Sequence, residues 1–497
     1  MERLDFIVSS LNLPGSYNFL NPALLRRSSW KAIALLAALF LIGGSVPRSI
    51  PTRAHIIKSA VALPDFNFFA WELNALGVAV FGGESLLKDG LDDDAQIGLV
   101  QSYFERAKMI SEKEAELDGL VSEAASAATG DAESDPAQAS VWAKQWAGPD
   151  GDAIAVPGRG ILVEEARLEL AGLRRQQSAD RSLVEAILQN QIREEILEVD
   201  LGLLGFVWPP VQFAFIEPPL KLTVSPRDRI STLHSRVLQA DYDPVTLEES
   251  EHDIEARTGL SAHISQIGGM AVFPAMVVDS SSLKWVLETV AHEWVHHYLF
   301  LFPLGLRYAS SDEATTLNET VAEIVGVEIG ERVWQRFYDT SAPSADPAAG
   351  SDDDIPCACS TADLWAQTYE LEQGRWERYG RPLAFDFRRE MRETRLHVDR
   401  LLKAGHVETA EVYMEGRRRY FVAQGYRLRV LNQAYFAFNG SYGTGAASSN
   451  PIGPMLEQLR EESDSLSHFF GQVRWFTSLA DLEKALQTDG DELGSTR

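Results

Sequence analysis

His292-Glu293-Trp294-Val295-His296 sets two imidazoles four residues apart with a carboxylate between them. On a helix, residues at i and i+4 share a face, so His292 and His296 can offer two nitrogens to one tetrahedral cation. Zinc is the ion such a pair suits, one per chain, and it lowers the pKa of a bound water toward ~7. Glu293, one residue on, stands where a general base is needed to take that water's proton. His297 points about a hundred degrees around the helix and cannot share the ion. The plainer alternative is a buried helix carrying two unrelated histidines.

A catalytic zinc needs a third protein donor and an open position. Leu317-Asn318-Glu319-Thr320-Val321-Ala322-Glu323 offers one, because Glu319 and Glu323 again lie four apart. Glu319 is expected to bind zinc. Glu323 is expected to accept a hydrogen bond from the distal nitrogen of a zinc-bound histidine and so fix its tautomer. The competing possibility is a solvated acidic stripe. Both segments have to be helical to work. Ser280, Ser281 and Ser282 supply caps for the first, which then runs without Gly or Pro from Leu283 to the motif, with Trp285, Val286, Val290 and Leu299 as core residues; Thr315 or Thr316 can cap the second. A further donor should face the developing oxyanion. Tyr442, Tyr435, Tyr298 and His397 are the candidates.

Together these segments resemble the gluzincin metallopeptidases, the clan that holds thermolysin, in which the His-Glu-x-x-His helix is followed by an Asn-Glu pair whose Glu is the third ligand. Asn318, Glu319 and the acidic residue four later, Glu323, match that pattern position by position. The chain is also similar to bacterial aminopeptidases in which Asn-Glu-x-x-Ala precedes an Arg-rich helical stretch and then Leu-Asn-Asn-Ala ahead of a Tyr. The matching pieces are residues 318–322, residues 388–419, Leu431-Asn432-Gln433-Ala434 and Tyr442. Gln433 departs from the second Asn. The likeness spans residues 220–480 and implies zinc-dependent hydrolysis of peptide or protein substrates, an aminopeptidase being one form of it. It selects Tyr442 as the oxyanion donor, and it implies that residues 268–278, β-prone and interrupted by Pro274, form an edge strand that pairs with substrate. A plain structural strand would look the same.

The 497 residues are 45% hydrophobic, enough for a large core in two or three domains. A net charge of -27 and the lack of a basic patch with interleaved aromatics disfavour nucleic acid as partner, since phosphate binding demands basic surface. Residues 1–31 read as an N-terminal tail. Residues 32–46, apolar and uncharged behind Arg26, Arg27, Trp30 and Lys31, read as a transmembrane segment or signal anchor, predicting a single-pass membrane protein with its large domain outside the cytoplasm. Residues 47–204 read as a helical stalk, with helices at 95–128 and 160–204 and a linker near 128–157. Residues 205–480 read as a zincin-like domain whose helical C-terminal lobe uses segments 362–379, 385–404, 409–437 and 456–476. Residues 341–360 read as an exposed insertion bearing Cys357 and Cys359, and residues 481–497 as a tail. The expected fold is α+β, mainly helical. The expected function is a membrane-anchored zinc peptidase, against two alternatives: a catalytically silent zinc-binding scaffold and a membrane-tethered helical interaction protein.

Overall fold

Chain contacts separate Met1–Ile50 from Pro51–Arg497, and the computed structural model describes residues 57, 64–68, 91–129, 159–202, 205–240, 244–280, 282–339 and 385–494, all in the second unit. The described chain is α+β and mainly helical. It opens with two long helices, α1 (Asp93–Thr129) and α2 (Arg159–Glu198), followed by strands β1 (Phe213–Phe215), β2 (Leu220–Ser225) and β3 (His234–Leu238). Helix α3 (Pro244–Thr258) then leads to β4 (Ser261–Ser265), β5 (Gly269–Met270) and β6 (Ala275–Val277). The centre is a helix pair, α4 (Leu283–Leu299) and α6 (Asp312–Phe337), joined through the short α5 (Pro303–Leu306). The remainder is helical: α7 (Phe387–Lys403), α8 (Val407–Ala423), α9 (Gln433–Asn439), α10 (Ile452–Glu462), α11 (Leu466–Val473) and α12 (Leu479–Gly494).

Local chemistry sets these boundaries. Ser282 caps α4 by accepting from the Trp285 N–H at 3.3 Å. Helix α6 begins earlier than expected: Ser311 is its cap, accepting from Ala314 N at 3.1 Å, and Asp312 and Glu313 add negative charge to the first turn. Thr315 and Thr316 therefore lie inside the helix. The segment expected as one helix over 409–437 is broken, because α8 ends where Gly425 takes φ +100° and α9 restarts on the Asn432 cap.

The described residues form two three-stranded sheets. One is antiparallel, in the order β3-β2-β4; Leu220, Leu222 and Val224 of β2 enter a small core with Ile254, Ala262 and Ile264, and the other face is covered by α9. The second has the order β1-β6-β5, with β6 parallel to β1 and antiparallel to β5. β5 is its edge.

Three expectations need correction. The helices at 93–129 and 159–198 are no stalk: Val100, Tyr103 and Phe104 of α1 and Val184, Ile187 and Leu188 of α2 enter the same core as Val286 and Val290 of α4 and Val325 of α6. Nor do residues 481–497 begin a tail, since α12 buries Leu482 in that core and Asp481 accepts from Thr477 N at 2.7 Å. The single-pass membrane assignment, and the extracytoplasmic placement drawn from it, are also withdrawn. Among the described residues no helix is long and apolar enough to cross a membrane, and the two longest, of 37 and 40 residues, carry charges throughout. Residues 32–46 lie outside the described residues, as do 130–157, 341–360 and 362–379 with Cys357 and Cys359.

Candidate metal centre

Helices α4 and α6 approach closely because α6 carries glycines four residues apart on the contact face. A Cβ on Gly326 would stand 2.9 Å from the His292 backbone nitrogen, and one on Gly330 2.7 Å from the Glu288 nitrogen. At this distance three side chains converge. His292 Nε2 and His296 Nε2 are 3.0 Å apart, and Glu319 Oε2 lies 3.4 Å from the first and 3.5 Å from the second. Ligands ~2.1 Å from a tetrahedral zinc stand ~3.4 Å from one another. Both histidine–carboxylate separations match that spacing, and the two imidazoles sit slightly closer. Such a cluster asks for positive charge at its centre, either a shared proton or a metal ion.

The supporting hydrogen bonds aim the lone pairs inward. Asn318 donates through Nδ2 to the Leu304 carbonyl at 3.4 Å, which turns its Oδ1 toward His296 Nδ1 at 2.8 Å. His296 Nδ1 therefore carries a proton, and Nε2 is the nitrogen that faces the cluster. Asn318, the other residue expected behind the ligands, thus supports His296, because a residue adjacent to Glu319 faces α4 beside the His296 ring. Glu323 is buried one turn further on. Glu319 is held by a residue that sequence reasoning does not single out: the Tyr308 hydroxyl donates to Glu319 Oε1, leaving Oε2 for the imidazoles, and the Tyr308 ring stands edge-on to His296 at 5.8 Å. Nothing local in the sequence marks Tyr308, a loop residue between the two motif helices. Glu319 and Glu323 are only 5% and 4% exposed, so they form no solvated stripe.

Burial and mutual charge set the ionisation. Burial alone would raise Glu319, but His296 and hydrogen bonds to both imidazoles hold it well below the usual carboxylate range. Burial opposes charge on His296, yet the Glu319 carboxylate outweighs it and raises that imidazole; His292, more dominated by burial, is lowered. Tyr308 is raised well above the ordinary phenol, first by burial and then by Glu319.

Glu293 is buried beside the cluster, and burial, with a contribution from Glu319, pushes its carboxyl up to about 8 against the opposing effects of His296 and Lys221. It abuts the edge strand. A Cβ on Gly269 would lie 2.2 Å from Glu293 Oε1, so the β5 backbone reaches this carboxylate only because residue 269 is glycine. His297 points elsewhere: its Nε2 donates to the Val272 carbonyl at 2.9 Å, tying the β5–β6 loop to α4, and burial lowers its pKa to about 4.

Of the four candidate oxyanion donors, Tyr442 alone lies against the cluster, its ring 6.4 Å from that of His292. Its loop is fastened from two sides. Gly443 N donates to Thr320 Oγ1 at 2.9 Å, one residue from Glu319, while Arg388, Arg392 and Arg395 of α7 donate to the carbonyls of Thr444, Ser448 and Ala447 at 3.2, 3.4 and 2.9 Å. Tyr435 packs against His263, Tyr298 accepts from Arg474, and His397 sits against Tyr413. The Leu-Asn-Gln-Ala segment is a docking device. Asn432 caps α9 and donates to the Ala262 carbonyl at 2.8 Å, and Gln433 Nε2 reaches the Arg227 carbonyl at 2.7 Å. Comparison with protein families, curated proteins and solved structures finds no match.

Proposed function

We propose that this chain is a zinc-dependent peptidase of zincin-like architecture, with α4 and α6 carrying the metal and β5 carrying the substrate. The observation that bears most weight is the convergence of His292 Nε2, His296 Nε2 and Glu319 Oε2 beside a buried fourth group, Glu293, which is not part of that convergence. These three atoms would hold zinc. When bound there, zinc supplies Lewis acidity toward a water and toward the scissile carbonyl.

The rest belongs to the chain's own residues. An extended peptide can pair with the free edge of β5, where Gly269 brings the backbone against Glu293. Glu293, ionised, takes a proton from the attacking water and returns it to the leaving amine nitrogen. Tyr442, with its loop pinned to Thr320, offers a hydroxyl to the oxyanion from the His292 side. A structural zinc in a silent scaffold fits less well. Such sites close with a fourth protein ligand, and the donor group among the described residues has three members.

Glu293→Gln tests the reading on a peptide library. The variant should keep zinc at wild-type stoichiometry and lose hydrolysis by roughly a thousandfold or more. Unchanged hydrolysis would overturn the assignment of the base, and wild-type protein that binds zinc without cleaving any peptide would leave the scaffold standing.

A further inference from the structure

Helix α4 carries two neighbouring stripes of side chains. His292 and His296 lie on the one turned toward Glu319; Trp285, Glu293 and His297, separated by multiples of four, lie on the next, offset by about a hundred degrees. Each member of the second stripe meets the edge strand or the turn that follows it. A Cβ on Gly268 would stand 2.6 Å from the Trp285 ring and one on Gly269 2.2 Å from Glu293 Oε1. His297 Nε2 donates to the Val272 carbonyl at 2.9 Å, and its ring stands edge-on to Phe273 at 5.8 Å.

The pairing of β5 fixes which of its backbone groups face outward. Val278 N donates to the Gly268 carbonyl at 2.9 Å, and the register sets Gly269 opposite Val277 and Met270 opposite Met276. Bonded and non-bonded pairs alternate along an antiparallel ladder, so Gly269 belongs to a non-bonded pair and turns its N–H and carbonyl away from β6, to the free edge. Val277 agrees, since its carbonyl is taken on the β1 side by Ile216 N at 3.0 Å. Gly269 is thus the residue that backs onto Glu293 and also offers hydrogen bonds to an extended peptide. A strand of two residues, with glycine at 268 and 269, cannot hold that edge in place by itself. Past Met270 the chain turns back, with Val272 N donating to the Met270 carbonyl at 2.8 Å. Among the described residues, side-chain hydrogen bonding to residues 268–273 comes from His297 alone, and His297 is buried. Its bond ties the far end of the strand to α4 one turn beyond Glu293.

We propose that His297 is a substrate-positioning residue: its bond to Val272 keeps the Gly269 edge ordered against Glu293, so that a peptide pairs with a strand already in place. The proposal rests on the peptidase reading, with the edge of β5 as the peptide site. Three substitutions separate its parts. His297→Gln keeps an N–H where Nε2 stands, His297→Asn is one carbon too short to reach, and His297→Phe keeps a ring against Phe273 without a donor. Amide hydrogen exchange, which needs no substrate, should be about tenfold faster at Val272 and Val278 in the second and third variants and near wild type in the first, with α3 unaltered in all. A peptide that wild-type protein cleaves is then titrated calorimetrically into zinc-loaded Glu293→Gln protein. Its Kd should rise about tenfold when His297→Asn or His297→Phe is added, and stay near the parent value with His297→Gln. Zinc affinity, from competition with a chelator, should be the same throughout. Equal peptide affinity in all variants, a loss that His297→Gln shares, or a parallel loss of zinc overturns the proposal. Wild-type protein that cleaves no peptide strikes the peptidase reading and this role with it, whereas wild-type cleavage with unchanged peptide affinity in the variants strikes His297 alone.

Discussion

The Tyr308 hydroxyl donates to one oxygen of Glu319, and through that bond the other oxygen is turned toward His292 and His296. A carboxylate free to rotate would present either oxygen, or both, and would lose the single-atom convergence. Tyr308→Phe removes the donor and keeps the ring against His296. It should lower zinc affinity by about 10- to 100-fold with little change in fold, measured by competition with a chelator. An unaltered dissociation constant would show that Glu319 is oriented by its helix alone.

Glu319 and Glu328 lie on the same helix with different partners. Glu319 faces the imidazoles, whereas Glu328 holds Arg460 of α10 at 2.8 and 2.9 Å. Glu319→Ala should weaken zinc binding by more than ~100-fold. Glu328→Ala should leave zinc affinity intact and reduce stability by about 1 kcal/mol. Equal loss of zinc in the two variants would count against Glu319 as a ligand.

The parts of this site visible in the sequence are those set by helical spacing. His292 with His296, and the glycine- and proline-free run ahead of them, follow from a period of 3.6 and a serine cap, and both act within one turn. The long helices at 93–129 and 159–198 are legible for the same reason, but their role is not. Their apolar positions are too sparse to announce a core helix, and the residues that cover them, such as Phe215 against Tyr103, come more than a hundred positions later. Tyr308 escapes detection because loop geometry, not spacing, brings it to the cluster. Choosing Asn318 over Glu323 as the partner of His296 depends on the rotation of α6 against α4. That rotation is fixed by Gly326 and Gly330, whose significance appears only once the facing helix is known.

Those glycines make a measurable contrast. Gly→Ala inside a helix normally stabilises by up to ~1 kcal/mol, and Gly416 of α8, with nothing within 4 Å of an added Cβ, should behave that way. At Gly326 the added carbon meets the backbone of His292 at 2.9 Å and the Glu288 carbonyl at 3.0 Å, and backbone cannot step aside as a side chain tip can. Overpacking of this kind costs about 1–3 kcal/mol, which exceeds the propensity gain. Urea midpoints should therefore move in opposite directions, up for Gly416→Ala and down for Gly326→Ala, with weaker zinc binding in the second only. Shifts of the same sign would mean that the helix pair has slack.

Away from the metal, α1, α2 and the loop before α4 enclose a polar cluster whose titration should be visible in stability. Tyr103 donates to Asp279 Oδ2 at 2.8 Å, and Glu185 Oε1 accepts from Phe215 N at 2.7 Å. Burial pushes the Glu185 carboxyl from an ordinary 4.5 up to about 7, only partly opposed by the Phe215 hydrogen bond and Arg181. With its folded pKa above the unfolded one, this group binds more protons when the chain is folded. Its contribution is then most favourable below about 4.5 and declines as pH rises to about 7. Glu185→Gln keeps an oxygen for Phe215 N and removes the ionisation. Relative to wild type the variant should gain stability with rising pH across that window, by about 1–3 kcal/mol in all, read from urea unfolding at pH 5, 6.5 and 8. Asp279 is also raised by burial and leaves a smaller slope of the same sign in the variant. Parallel stability curves for the two proteins would mean that Glu185 titrates in the folded state as it does in the unfolded chain, with water reaching its carboxyl between α2 and β1.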